Sequence, residues 1–207
     1  MKVVLLTEKA PPILFPAADC VVVRTLDELV KHRPADLYVD LDFEPEETRI
    51  AALSRLLSVP VMVNAVSTTI AAIGQPFVRI NGWPGMLERT VHELVVPDAG
   101  VAAQITRLYE ASGRSFRAAP DIPGMVSGRI LAVLINEAWY TWESGVSSKE
   151  EIDTAMRLGT NYPLGPFEWG ERIGLDGVVE LLEVMSRSDS RYRPAESLKK
   201  AAGSIKI

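Results

Sequence analysis

The 207 residues contain one cysteine, Cys20, only two histidines, and no apolar run approaching the length of a membrane span. A single cysteine excludes an internal disulfide and makes a reducing compartment the natural setting. The apolar start, Met1 to Leu6, is too short for a signal peptide, so a cytoplasmic protein without membrane attachment is expected. Positive charge is scarce as well. The 22 Lys and Arg face 27 Asp and Glu, a net charge of −5, which argues against nucleic-acid or anionic-membrane partners. No internal repeat or low-complexity segment occurs, and no metal-ligand set is assigned. Glycine is missing from Leu6 to Pro16, where the first apolar run leads into Thr7-Glu-Lys-Ala-Pro-Pro12. Pyrophosphate binding at a strand-to-helix turn needs glycines there, so that backbone amides can approach the phosphates. Glu8 brings the wrong sign of charge, and Pro11 and Pro12 remove donors.

What is present is a 47% hydrophobic content, ample for a core, arranged in two styles. Val3 to Leu6, Cys20 to Val23, Leu37 to Leu41 and Val59 to Asn64 are continuous β-rich runs, as expected of strands buried on both faces of a parallel sheet. Thr25 caps a short helix between them, and Glu46 to Leu57 is a clearer one, with Ile50, Leu53, Leu56 and Leu57 on one face. Strands near Phe77 to Ile80 and Val91 to Val96, a helix from Ala99 to Gly113, and a strand near Phe116 complete a doubly wound α/β layer. Past the linker bracketed by Pro120 and Pro123, the period becomes helical. The expected domains are therefore 1–119, α/β, and 120–207, all-α. Met125 to Ser144 is apolar on several faces, so it must be buried between layers or against another subunit. Ser148-Lys-Glu-Glu151 is a capping box, Gly159 is expected to close that helix, and Pro166 starts another. Asp176 is expected to cap the helix to Met185, with a polar surface tail from Ser186.

Asp121-Ile-Pro-Gly-Met, Asn136-Glu137-Ala138, Ile152-Asp-Thr-Ala-Met and Asn161-Tyr-Pro-Leu-Gly-Pro-Phe-Glu follow in that order. Over Asp121 to Met185 they resemble the C-terminal domain of the 3-hydroxyacyl-CoA dehydrogenase family. Ala35 to Glu44 and Val63-Asn-Ala-Val-Ser67 are similar to later strands of its nucleotide domain. Met156 to Pro166, with Arg191-Tyr-Arg-Pro, looks most like tandem-domain members associated with phenylacetate catabolism. The resemblance implies a trimmed Rossmann-like sheet followed by a helical dimerisation domain, and in the family an NAD-dependent oxidation of a hydroxyacyl-CoA.

The resemblance also shows what is unmatched. The family's general base is a histidine in a His-Phe-Phe-Asn-Pro type motif, oriented by a downstream glutamate. Ile80-Asn-Gly-Trp-Pro84 is the nearest stretch here, with isoleucine at the histidine position. The family's substrate-polarising asparagine falls on Gly128. Ser67 matches a serine near the substrate hydroxyl, and His92 and Glu93 fall where the orienting glutamate belongs. Ser67, His92 and Glu93 are thus the catalytic candidates, and Ser67, Asn81 and Asn136 the substrate-binding ones. His92 is either a replacement base or, as strand chemistry favours, an ordinary surface or interface residue. Asn136 and Glu137 suit a polar cluster at the domain interface. Trp139, Trp142 and Trp169 are read as packing anchors before acyl-pocket walls. Arg79 and Arg89 are read as surface charge before phosphate ligands. Two readings follow. One is a non-catalytic homodimer that holds no cofactor and binds an acyl-CoA-like ligand or a partner dehydrogenase. The other is an active oxidoreductase that takes NAD through an unconventional site or a complementing partner.

Overall fold

The structure is a computed structural model that describes residues 1–9 and 13–203. Ala10, Pro11 and Pro12, part of the expected Thr7–Pro12 loop, lie outside the described residues. The chain forms two compact units, Met1–Val126 and Ser127–Ile207. The division falls after Val126 rather than after residue 119, because the linker around Asp121 is bonded into the first unit.

In the first unit, β1 (Lys2–Leu6), β2 (Asp19–Val23), β3 (Leu37–Asp40), β4 (Val61–Asn64), β5 (Val78–Ile80), β6 (Val91–Val95) and β7 (Ser115–Ala118) form one sheet. Its order is β2-β1-β3-β4-β5-β6-β7. The first five strands run parallel, β6 is antiparallel to β5, and β7 is parallel to β6. The five parallel strands follow the 2-1-3-4-5 order of a doubly wound sheet, and β6 and β7 extend it in the opposite direction. The apolar runs are continuous because alternate residues feed two cores. Val3, Leu5, Val39, Met62 and Ile80 enter one, and Val4, Leu6, Tyr38, Val63 and Phe77 the other. The short helices α1 (Leu26–Lys31), α2 (Glu47–Ser54) and α3 (Ile70–Ile73) and the longer α4 (Ala99–Ala111) complete the unit. Thr25 caps α1 through a full capping box, as its sequence predicts.

The second unit contains α5 (Ser127–Glu143), α6 (Lys149–Thr160), α7 (Pro166–Ile173), α8 (Leu175–Ser186) and α9 (Glu196–Gly203). The Ser148–Glu151 capping box starts α6 as expected. Its end is different: Gly159 lies inside the helix, and Asn161, at φ 55°, provides the left-handed residue that stops it. Asp176 stands in the first turn of α8, and Gly174, at φ 98°, is the capping residue. The segment beyond Ser186 is no mere surface tail. It makes a 3-10 turn at Ser190–Tyr192, then α9, and it buries Tyr192, Ala195, Leu198 and Ala202. None of the described helices is long and apolar enough to cross a membrane.

One carboxylate organises the joint between α6 and α7. Asp153, buried on α6, accepts the N–H of Phe167 at 2.8 Å and of Glu168 at 3.2 Å, so it caps α7 from a neighbouring helix. Glu168 in turn accepts the Gly165 N–H at 2.7 Å and pairs with Arg157. A Cβ on Gly165 would meet the Asp153 carboxyl at 2.3 Å, which is why that position is glycine. Replacing Asp153 by alanine leaves two amides at a helix start without a partner and is expected to cost about 1–3 kcal/mol. Urea unfolding followed by tryptophan emission measures this well, since Trp139, Trp142 and Trp169 all lie in the second unit. An unchanged midpoint would refute the role given to Asp153.

Candidate functional site

In an open parallel sheet, ligands bind beyond the carboxyl ends of the strands, where successive connections depart in opposite directions. That place here lies between β1 and β3. A cavity of about 230 Å³ is found there, lined among others by Thr7, Lys9, Asp42, Asn64, Trp83 and Glu88. It is smaller than the roughly 300–1,000 Å³ of ordinary small-molecule pockets.

Its walls are bonded to one another. Asp42, just past β3, accepts the Glu8 N–H at 2.5 Å and the Thr7 hydroxyl at 3.4 Å. Arg24, just past β2, donates to the carbonyls of Thr7 at 2.5 Å and Lys9 at 2.7 Å. Asn64 donates to the Leu41 carbonyl at 3.0 Å and accepts the Gly82 N–H at 2.9 Å. Below them, Asp40 is fully buried and holds Arg49 through two 2.7 Å bonds. Burial pushes the Asp40 carboxyl up, against the opposing pull of Arg49.

The described residues between β1 and β2, 7–9 and 13–18, form no helix. Leu14 and Phe15 from this segment are instead buried in the sheet's core, with Phe15 packed edge-on against Tyr109 at 5.3 Å. A dinucleotide does not fit these residues. The amide of Glu8 is held by a carboxylate and the neighbouring carbonyls by Arg24.

The sequence candidates divide sharply. His92 on β6 is buried, not a surface residue. Its Nε2 is 3.0 Å from the Leu87 carbonyl, which can only accept, so Nε2 carries the proton. Nδ1 then accepts from the Tyr109 hydroxyl at 3.0 Å. Burial pushes the Tyr109 phenol well up, which keeps that donor protonated. With both nitrogens engaged in the core, His92 is not placed to serve as a base.

Ile80 points into the core, whereas the register moves the comparison by one residue. Arg79 pairs with Val95 and Ile80 with Leu94, and that register, continued one residue past the end of β5, would set Asn81 opposite Glu93. Asn81, just past β5, carries a carboxamide, which is not a proton acceptor at neutral pH. Its Oδ1 accepts the Trp83 N–H at 3.1 Å. Glu93 accepts the Val126 N–H at 2.7 Å. Ser67 lies half-buried in the turn after β4.

Asn136 is buried within the second unit. It donates to the Arg193 carbonyl at 2.9 Å and accepts the Ala195 N–H at 2.8 Å, holding the C-terminal segment onto α5. Trp139 and Trp169 are buried and Trp142 is half-exposed, in keeping with packing anchors. Arg89 is exposed, but Arg79 is fully buried and its surface-charge reading is overturned. Among the described residues, no group of three or more His, Cys, Asp or Glu could hold a metal ion. The residues that sequence reasoning passed over are Asp42 and Arg24. The signal for Asp42 was available in Asp40-Leu-Asp42, a pair of acids at the end of a buried strand.

The sheet order and the crevice define a Rossmann-like class, here with a helical second unit. The model of the 3-hydroxyacyl-CoA dehydrogenase C-terminal domain matches residues 124–204. The chain is 30% identical over 170 residues to 3-hydroxyadipyl-CoA dehydrogenase of Escherichia coli (strain K12), covering 81% of this chain and 36% of that protein. It is 32% identical over 197 residues to 3-hydroxybutyryl-CoA dehydrogenase of Bradyrhizobium diazoefficiens, covering 87% and 66% respectively. The crystal structure of (S)-3-hydroxybutyryl-CoA dehydrogenase PaaH1 from Ralstonia eutropha matches with a TM-score of 0.71 at 28% identity, over 89% of this chain and 71% of that one. The chain belongs to the 3-hydroxyacyl-CoA dehydrogenase family. It spans only part of its relatives: 36%, 49% and 66% of the lengths of three of them.

The His92 geometry has a consequence in pH. Burial, aided by the nearby charge of Arg114, holds the imidazole below its ordinary value. Below the unfolded value of about 6.5, the unfolded chain binds a proton that the native chain refuses. Stability is therefore present above that pH and falls as pH drops through it, by at most about 1.4 kcal/mol per unit. Urea midpoints measured from pH 7.5 to 5.5 are expected to decline, and His92→Gln to flatten the decline. An equal slope in that variant would refute a neutral, core-bound His92.

Proposed function

We propose that this chain is a binding member of the 3-hydroxyacyl-CoA dehydrogenase family that does not oxidise a hydroxyacyl-CoA on its own. In this reading it is a cytoplasmic, dimeric scaffold that takes an acyl-CoA-like ligand or associates with a partner dehydrogenase. The observation that carries the reading is Asp42, whose carboxylate sits on the Glu8 amide at the mouth of the crevice. A fixed negative charge there repels the pyrophosphate that a helix N-terminus would attract. The carboxamide of Asn81, just past β5, supports the same conclusion, because losing general-base catalysis costs about 10²–10⁴-fold in rate. A second reading, an oxidoreductase completed by another polypeptide, is favoured only by Glu93 and Ser67 keeping their places.

The helical unit supports self-association. Ile130 and Val133 are exposed on α5, next to an apolar groove of about 440 Å³ between α5 and α6 that Leu134, Ile152, Ala155 and Met156 line. An apolar surface of this kind marks an interaction site, and a two-fold contact lets one surface cover itself.

Two measurements test the proposal. Calorimetry with NADH and with acetoacetyl-CoA is expected to give no saturable NADH heat. Micromolar NADH binding, or oxidation of 3-hydroxybutyryl-CoA abolished by Glu93→Gln, would establish the second reading instead. Light scattering at micromolar concentration is expected to report about 45 kDa, twice the 22.7 kDa chain. A stable monomer there would remove the dimer from the proposal.

A further inference from the structure

Lys149 is the first residue of α6, an unfavourable place for a cation, since the helix N-terminus carries positive partial charge. Among the described residues, no carboxylate pairs with it and no acceptor binds its Nζ. Three aromatic faces surround the ammonium instead. Nζ lies 4.0 Å from the ring centre of Trp139, 4.4 Å from that of Trp142 and 5.3 Å from that of Phe167. The rings stand as walls. Trp139 and Trp142 meet at 87° with centres 5.6 Å apart, and Trp139 and Phe167 at 59° and 5.3 Å.

The sequence builds this enclosure from three elements. Trp139 and Trp142 share a face of α5 at i, i+3, and the turn at Gly145 brings Lys149 back over them. Phe167 comes from the first turn of α7, the turn that Asp153 caps. Trp139 and Phe167 are buried, while Trp142 is 38% exposed, so the enclosure opens on the Trp142 side. The buried indole N–H of Trp139 has no acceptor, so this ring is kept for its face and bulk and not for its donor. Trp139 also lies about half a turn round α5 from the line Ile130, Leu134, Glu137 and Thr141, at 3.6 residues per turn. None of Trp139, Trp142, Lys149 and Phe167 lines the groove between α5 and α6, and the inference does not rest on the proposed function.

A primary ammonium suits such walls poorly. It is strongly hydrated and has three N–H donors, for which the rings supply no conventional acceptor. A quaternary ammonium has no N–H to satisfy and keeps the attraction to the ring faces. We propose that Trp139, Trp142 and Phe167 form a cage for methylated ammonium groups, which the chain fills with its own Lys149 until a ligand of that class displaces it. The lysine stem is flexible and half-exposed, so its head can leave for solvent while the rings stay in place. While it stays, it competes as a tethered group at an effective concentration on the order of millimolar.

Tryptophan emission of the full chain, titrated with tetramethylammonium chloride against potassium chloride at equal ionic strength, tests this directly. The natural chain is expected to respond weakly but saturably. Lys149→Ala is expected to bind about tenfold more tightly, because the tethered competitor is gone. Trp142→Leu in that background is expected to abolish the response, with Trp139 still reporting. Choline and N-trimethyl-lysine, run as separate arms, distinguish a small-molecule head group from a methylated side chain as the natural source. Should Lys149→Ala not fold, Lys149→Met keeps the stem and removes the charge. No saturable response in a folded Lys149 variant would overturn the proposal. So would equal responses to tetramethylammonium and potassium, or binding undiminished by Trp142→Leu.

Discussion

The buried guanidinium of Arg79 holds the first unit together at the edge where its chemistry would lie. No part of the side chain is exposed. Nε donates to the Ala65 carbonyl at 2.9 Å and Nη2 to that of Val66 at 3.0 Å, which fixes the turn carrying Ser67. Nη1 meets Asp121 at 2.6 Å, and both terminal nitrogens lie 3.3 Å from the Ile122 carbonyl. Asp121 accepts the amides of Ile70 and Ala71 in the same place, so one ion pair joins β5, the turn after β4, the start of α3 and the linker. Burial pushes the guanidinium down while Asp121 opposes it, and a partner removed from such a pair leaves a buried charge that costs about 3–5 kcal/mol. This is also why residues 120–126 belong to the first unit despite their likeness to the start of a helical domain.

The parts legible in the sequence are those fixed by neighbours along the chain. Buried strands declare themselves by runs such as Val3 to Leu6, and caps by Ser148 with Glu151 or Thr25 with Glu28, because the interacting groups lie within a few residues. Arg79, Asn136, Asp153 and Asp42 were misread or passed over for the opposite reason. Their partners stand 42, 59, 14 and 34 residues away. A polar residue paired at such a distance looks, in sequence, like one exposed to water. The polar C-terminal segment was read as surface on the same grounds, although Asn136 draws it onto α5 and Leu198 is fully buried. His92 shows the limit most clearly, since nothing local announces that Tyr109 and the Leu87 carbonyl will close over both nitrogens.

The site was legible by what it lacked more than by what it held. The missing glycines point away from a pyrophosphate turn, and among the described residues Asp42 and Arg24 bind this loop's backbone groups. A proline-ended motif matches Ile80 to the base position, and in the structure Ile80 lies in the sheet's core. Continued one residue past the Ile80–Leu94 pair, the register would put Asn81, a carboxamide, beside Glu93.

A parallel sheet must have both faces covered by the chain itself. Here part of the covering comes from the connection between β1 and β2, where Leu14 and Phe15 pack on the core shared with α4. Burying one such side chain contributes about 1.5–3 kcal/mol. Phe15, Tyr109, Phe116 and His92 form one edge-to-face cluster, with Tyr109 touching each of the other three rings at 5.2–5.6 Å between centres. A glycine at Thr7 would leave this packing in place, with Asp42 still accepting the Glu8 amide and Phe15 still in the core. The segment after β1 is held by packing as much as by polar bonds.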